Sequence, residues 1–245
     1  MDSAASRARY DALMEIVTGR HTSRQFRPEE IPGEHFDMIL EAARHAPSGA
    51  NSQPWHFIVV TRPAVKKTIA DYFVAEQRRR AKMKMKFPTP NYRGLETAPG
   101  FIVVAADFRF TRAFPVLNDG SDLDRQYHEN AERILLQSVA AATMSAHLAA
   151  TALGYGVWWV TAIGQEEAQR DLKPLLGIPD DLSVLDIMLF GHALKPAYTR
   201  WKKTLSEIAS YDAFNVDNYR TVDDVETWVR EQRHKVMYRD EGNID

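Results

Sequence analysis

Two polar segments of the sequence carry residue types suited to a phosphorylated cofactor. The first places two arginines and two hydroxyl side chains within five positions: Arg20, His21, Thr22, Ser23 and Arg24. Guanidinium groups bind phosphate oxygens through paired hydrogen bonds, and hydroxyls can add further bonds. The segment directly follows an amphipathic pattern that stops at Gly19, so it is predicted to lie just beyond a helix end. A solvated polar turn is the alternative interpretation of this segment taken alone.

The second segment, residues 47–55, holds amide side chains between two apolar stretches. Asn51 and Gln53 each carry both a hydrogen-bond donor and an acceptor. They could therefore bind the alternating C=O and N–H edge of a flavin or pyrimidine ring. An Asn/Ser-rich turn without a ligand is the alternative interpretation here.

Several other kinds of site are absent from the sequence. The chain has no cysteine, which excludes disulfides, thiolate metal sites and a cysteine nucleophile. Gly154 and Gly156 begin a G-x-G pattern, but Trp159 occupies the third glycine position of the dinucleotide fingerprint. No phosphate-binding G-K-[ST] motif, H-E-x-x-H zinc motif or G-x-S-x-G nucleophile elbow occurs.

Composition predicts one globular domain over residues 1–245. The chain has a formal net charge of −2, which argues against a nucleic-acid-binding protein. The N-terminal ten residues lack the apolar core of a secretory signal, so we expect a cytoplasmic protein. No charged residue lies between Arg133 and Glu166, but polar side chains and the turn at residues 154–156 interrupt this stretch. It is therefore predicted to be a buried helix and strand, and not a membrane span.

Hydrophobic periodicity predicts helices and strands in an irregular order. The predicted helices are 9–17, 34–45, 63 towards 86, 124–153, 165–176 and 222–238. The predicted strands are 55–61, 101–105, 157–163 and 184–190. Residues 109–122 are predicted to form a long loop, and residues 194–221 an extended tail. Since this order is not a regular βαβ alternation, an α+β layer fold is predicted.

The two polar segments, taken together, resemble the nitroreductase family of FMN-dependent oxidoreductases. The similarity begins at residues 20–26 and continues through Pro47-Ser48 and the block from Asn51 to Phe57. It extends over nearly the whole chain through shorter motifs at 39–43, 98–99, 154–156, 176–179 and 191–192. The block from Pro47 to Trp55 is its most specific part.

The resemblance implies a fold, a dimer and a cofactor. The fold would be a three-layer sandwich with a mostly antiparallel central sheet, and the tail from residue 194 to 245 would wrap around the partner of a homodimer. FMN would bind between the subunits. The residues implied to bind it are the basic segment with Arg200 and Lys202, the partner's Pro47, Ser48, Asn51 and Gln53, and Thr161, Ala162, Ile163 and Gly164 near the flavin N5 atom.

The implied activity is hydride transfer from NADH or NADPH to a nitroaromatic, a quinone or an activated alkene. The chemistry takes place at the flavin, so no side chain is required as an acid or base. A flavin-binding module without turnover is the alternative from a different class. Neither a nucleic acid nor a membrane is expected as a partner.

Two specialised branches of the family are also similar to this chain. The flavin-cleaving branch carries an aspartate where this sequence has Thr22. The reductive deiodinase branch is similar at residues 47–50 and 95–99, but its lid carries a Glu and a Tyr spaced by four, and here Glu76 is followed by Arg80. Both departures weaken these alternatives.

Residues 78–93 form a candidate substrate lid. Six basic residues between Arg78 and Lys86 concentrate positive charge, and methionines and aromatics alternate with or follow them. Lys82, Lys84, Tyr92 and Arg93 are the candidate substrate contacts. A basic rim would favour acidic or electron-poor aromatic acceptors. The alternative is a solvated helix end whose methionines pack inward.

Overall fold

The computed structural model describes residues 3–83, 91–115, 117–161, 166–196 and 202–232. Backbone contacts divide the chain into two units, Met1–Ala197 and Tyr198–Asp245.

A four-stranded antiparallel sheet forms the centre of the first unit. Its strands are β1 (Trp55–Val60), β2 (Gly100–Ala106), β3 (Gly156–Val160) and β4 (Ser183–Gly191), in the order β1-β2-β4-β3. Every residue of β2 is buried, as its Val- and Ala-rich sequence predicts for a central strand. Each of the four predicted strands is confirmed within a few residues. The predicted end of β3 at residue 163 lies outside the described residues.

Six α-helices accompany this sheet in the part of the chain that the structure describes. They are α1 (Ser3–Gly19), α2 (Gly33–Arg44), α3 (Pro63–Ala81), α4 (Gly94–Thr97), α5 (Asp122–Ala152) and α6 (Glu166–Leu176). Local signals set their ends: Pro63 occupies the first turn of α3, and the Ser121 side chain caps α5 by accepting a bond from the Asp124 N–H. Helix α4 spans four residues and was not predicted.

Apolar side chains pack on both faces of the sheet. Helices α2 and α5 cover one face, where Phe36, Val139 and Phe190 belong to one buried cluster. Helices α3 and α6 cover the other face through Ile69 and Leu172, together with core residues of the sheet. The sheet therefore lies between two helical layers, and the predicted α+β sandwich is confirmed.

Helix α5 is, among the described residues, the one helix long and apolar enough to cross a membrane. It packs, however, against α2 and against strands β3 and β4. Ala142, Ala146 and Ala150 on its inner side are at most 1% exposed. These are the contacts of a core helix, as the sequence predicts.

The second unit contains α7 (Leu205–Ile208) and α8 (Val222–Glu231). A capping box begins each helix, formed by Thr204 with Glu207 and by Thr221 with Asp224. None of residues 202–232 is buried. The large apolar side chains left exposed include Leu205, Ile208, Tyr211, Phe214, Val216, Tyr219 and Val222.

Candidate functional site

The basic segment, residues 20–24, is held against the edge of the sheet beside β3. The Ser23 N–H donates to the Val157 carbonyl at 2.8 Å, and Thr22 forms a parallel bridge with Val157. Phe26 forms an antiparallel bridge with Ala193 and is 3% exposed. The segment is thus fixed on the sheet edge at Thr22 and Ser23, and Phe26, two residues beyond it, is anchored in the core.

Two glycines pack against the backbone of this segment. A Cβ atom on Gly94 would come within 2.3 Å of the Arg24 carbonyl oxygen and 2.7 Å of the Trp158 ring. A Cβ atom on Gly156 would come within 2.8 Å of the Ser23 Cβ. Real side chains do not pack at such distances, so the position of the basic segment depends on both glycines.

The side chains of the basic segment differ in their surroundings. Arg20 is half-buried at the end of α1, and no carboxylate among the described residues pairs with it. The Arg24 guanidinium lies 5.8 Å from the centre of the Trp158 ring, a cation–π contact. Ser23 is 7% exposed, and its hydroxyl donates to the Gln25 carbonyl at 3.1 Å.

His21 and Thr22 lie between these residues, and both are half-buried. The Nδ1 atom of His21 lies 3.1 Å from the Gly19 carbonyl oxygen. Its Nε2 atom is buried and has no hydrogen-bond partner among the described residues. Buried polar atoms are almost always paired, so a free ring nitrogen here is a notable feature of this segment.

The amide loop, residues 47–55, has an unusual backbone. Ala50, Asn51 and Gln53 have φ angles of 52°, 49° and 45°, the left-handed region that non-glycine residues seldom adopt. Each such residue costs about 1–2 kcal/mol. The Ser48 carbonyl accepts from the Asn51 N–H, and the Ser48 hydroxyl accepts from the Gln53 N–H, both at 3.1 Å. These bonds help to hold the strained conformation.

Helix α5 supports the amide loop from below. The Gly49 N–H donates to the Ser138 hydroxyl at 3.1 Å, and a Cβ on Gly49 would lie 2.2 Å from the Ile134 side chain. Asn51 and Gln53 are exposed, and the Gln53 amide donates to the Asn51 carbonyl oxygen at 3.3 Å. The loop therefore presents a linked pair of amides from a rigid base. Pro47 is also exposed.

The remaining residues of the predicted cofactor site are only partly described. Thr161 directly follows β3 and is exposed, and Lys202 is exposed in the second unit. Ala162, Ile163, Gly164 and Arg200 lie outside the described residues, and so does Lys84 of the candidate lid. The roles of all these residues stay predictions.

The described part of the candidate lid differs from the exposed lid that its sequence predicts. Lys82 and Arg93 are exposed, but Tyr92 is 4% exposed and stacks on Trp158 with ring centres 6.1 Å apart. The Tyr92 N–H donates to the Gln77 side chain at 2.9 Å. Tyr92 is thus a core residue in this structure, and its role in substrate binding stays a prediction.

A buried polar cluster was not predicted as part of the site. It consists of Thr143 and His147 on α5, Trp159 on β3 and Asp186 on β4, and we call it the interior cluster. Burial, and then the nearby Arg20 charge, lower the pKa of His147 from 6.5 to about 4. Burial raises the pKa of Asp186. One signal was available: Asp186 is a lone charge in the apolar run 184–190.

A comparison with protein families shows to which family this chain belongs. The model described as "Nitroreductase family" matches residues 17–192, which include the basic segment, the amide loop and the whole sheet. The chain belongs to the nitroreductase family. The resemblance inferred from the sequence motifs is confirmed.

Individual relatives of this nitroreductase-family chain carry two kinds of name. A protein of Archaeoglobus fulgidus named NADH dehydrogenase/NAD(P)H nitroreductase is 29% identical over 182 residues, 74% of this chain and 86% of the relative. An iodotyrosine deiodinase of Haliscomenobacter hydrossis is 33% identical over 146 residues, 56% of this chain and 64% of the relative.

Solved structures share this fold. The structure of B. megaterium NfrA2 superimposes with a TM-score of 0.68 at 18% identity, covering 96% of this chain and 86% of NfrA2. An FMN-dependent nitroreductase of Clostridium difficile gives a TM-score of 0.60 at 20% identity, covering 82% of this chain and 99% of that protein. At these identities the similarity concerns the fold alone.

Proposed function

We propose that this protein is an FMN-dependent oxidoreductase that transfers hydride from NADH or NADPH to an organic acceptor. Acceptors of the proposed class are nitroaromatics, quinones and activated alkenes. The observation that carries the proposal is the basic segment, fixed beside β3 over Gly94 and Gly156 at one end of the family match. Relatives named NAD(P)H nitroreductase support the reaction class.

The described residues fit the phosphate end of FMN. Arg20 has no carboxylate partner among them. A dianionic phosphate could accept hydrogen bonds from the Arg20 guanidinium without the glycine-rich loop that the sequence lacks. In this proposal Arg200 and Lys202 add positive charge from the tail.

The amide loop fits the ring end of FMN. The backbone of the loop is fixed before any ligand arrives, since α5 and the Ser48 bonds hold it. Asn51 and Gln53 can then donate to and accept from a ring edge with little loss of side-chain entropy. When bound, FMN supplies the hydride chemistry, and the chain supplies binding and orientation.

The proposed assembly is a homodimer in which each flavin contacts both chains. The exposed apolar side chains of residues 205–222 support this, because apolar surface of this extent favours a covering partner. In the proposal this tail wraps around a second copy, and the amide loop enters the partner's site. The cytoplasm is the proposed location.

Reductive dehalogenation is a second candidate, since relatives are named iodotyrosine deiodinase. The described lid does not favour it. Glu76 pairs with Arg79 at 2.7 Å and with Arg80 at 3.5 Å, so its charge is already neutralised within α3. A halogenated amino-acid zwitterion would have to displace these arginines to reach Glu76.

Purification tests the proposal directly. We expect a yellow dimer with about one FMN per chain, released on denaturation and identified by its mass. The holoprotein should oxidise NADH or NADPH faster when a quinone or nitroaromatic is added. A colourless protein that does not take up FMN would refute the proposed cofactor, and bound FMN without turnover would indicate a flavin-binding module.

A further inference from the structure

Trp158 on β3 lies where the core meets the basic segment. It is 5% exposed and belongs to the buried cluster on the face of the sheet that α3 and α6 cover. Its ring is nearly parallel to that of Tyr92, with planes at 14° and centres 6.1 Å apart. The Arg24 guanidinium lies over the same indole, 5.8 Å from the ring centre. One core side chain thus connects the base of the candidate lid to a residue of the proposed flavin site.

The backbone around Arg24 is fixed independently of this contact. The Ser23 N–H donates to a carbonyl of β3 at 2.8 Å, and the Phe26 N–H donates to the Thr97 hydroxyl at 3.2 Å. The Arg24 carbonyl oxygen lies against Gly94. These contacts fix the point from which the Arg24 side chain leaves the backbone. Several rotatable bonds, however, separate that point from the guanidinium.

The indole restricts those bonds. A guanidinium over an aromatic face is attracted by the charge distribution of the ring, and tryptophan gives the strongest attraction. Because Arg24 is only half-buried, this attraction contributes little to the free energy of folding. A side chain that is already ordered loses less conformational entropy when it meets a ligand. The contact is therefore better explained by where it places the charge than by stability.

Tyr92 limits in turn how far the indole can move. The Tyr92 ring is 4% exposed and also contacts Phe73, with ring centres 5.2 Å apart. On another part of the indole, a Cβ atom at Gly94 would come within 2.7 Å of the Trp158 ring. The indole therefore packs between a core aromatic ring and the backbone of α4. A rigid ring of this kind can hold a flexible side chain in place.

We propose that Trp158 is a positioning residue that holds the Arg24 guanidinium in place for the flavin. Tyr92 supports the indole from within the core. Loss of the indole would keep the positive charge of Arg24 but let its side chain move. The consequence for flavin binding rests on the proposed function, in which Arg24 is one of the residues that bind FMN, whereas the Arg24–Trp158 contact does not.

The first experiment measures the contact in the flavin-free protein. The probe is the Nε–H signal of Arg24 in a ¹⁵N spectrum at mildly acidic pH, assigned by its absence in Arg24→Ala. The ring current of the indole displaces this signal, so Trp158→Leu should move it towards the signals of exposed arginines. Trp158→Phe keeps an aromatic face and should retain part of the displacement. An unchanged Arg24 signal in Trp158→Leu would overturn the proposal.

The second experiment measures FMN affinity in a double-mutant cycle. Trp158→Leu should weaken FMN binding about three- to ten-fold, because the ligand must then order the Arg24 side chain itself. In an Arg24→Ala background the same change should have no further effect, since the side chain that it positions is gone. Trp158→Phe should retain most of the affinity. Ile69→Ala, a cavity-forming change in the same buried cluster, should lower the melting temperature without changing the affinity.

The outcomes separate this proposal from the proposed function. If Trp158→Leu weakens FMN equally with and without Arg24, Trp158 acts through the fold and the positioning role is overturned. If Arg24→Ala binds FMN as well as the original protein does, the positioning role fails and the proposed function stands. If Trp158→Leu does not fold, the Arg24 signal in Trp158→Phe decides, because the smaller ring should reduce the displacement. If the original protein binds no flavin, the proposed function fails and the Arg24 signal still decides the contact.

Discussion

His147 should make the stability of this protein depend strongly on mildly acidic pH. The ring is 3% exposed, its Nε2 atom has no hydrogen-bond partner among the described residues, and Arg20 adds positive charge nearby. All three features disfavour the protonated ring. Burial is the largest cause of the lowered pKa, which falls from 6.5 to about 4.

The sign and size of the effect follow from this shift. Between pH 6.5 and 4 the unfolded chain binds a proton at His147 that the folded chain does not, so stability falls as the pH falls. A difference of this size between unfolded and folded pKa corresponds to about 3 kcal/mol. Above pH 6.5 the ring is neutral in both states, so His147 no longer lowers the free energy of unfolding.

Denaturant unfolding at pH 7.0 and pH 4.5 measures this contribution. His147→Leu should retain about 2–3 kcal/mol more of its stability on acidification than the original protein does. His56→Gln is the matched control, because His56 is exposed on β1. Other groups titrate equally in all three proteins, so only the difference between variants is interpreted. If His147→Leu lost as much stability as the original protein, the ring would not be buried in its neutral form.

Three further predictions concern the basic segment and the amide loop. Gly94→Ala should weaken FMN binding at least ten-fold, because its Cβ would lie 2.3 Å from the Arg24 carbonyl oxygen. The control Gly33→Ala, whose Cβ would have no atom within 4 Å, should bind FMN normally, and equal affinities of the two variants would refute the packing argument. Arg20→Ala should weaken FMN by about 10- to 100-fold and riboflavin much less, measured by fluorescence quenching, and an equal loss for both would assign Arg20 to the fold. Ala50→Gly should raise stability by about 1 kcal/mol in denaturant unfolding, because its φ of 52° is strained for alanine, and a loss of stability would contradict this.

The sequence by itself determined the order of the elements and the two segments that define the family. The four strands are short apolar runs bounded by glycine and proline, so local pattern was sufficient to place them. The basic segment and the amide loop were also readable, because arginines and amides at such spacing have few uses in an apolar core. The residue types in the amide loop do not indicate the left-handed backbone at Ala50 and Gln53.

Only the tertiary structure decided which residues meet across the sheet. Tyr92 follows a basic, Met-rich run that is typical of an exposed lid, but its ring stacks on Trp158, a residue 66 positions away. Gly94 appears unremarkable in the sequence, yet the Arg24 backbone lies against it. The interior cluster joins Thr143 of α5 to Asp186 of β4. These contacts depend on strand order and on how helices pack on the sheet, and neither leaves a local periodic signal in the sequence.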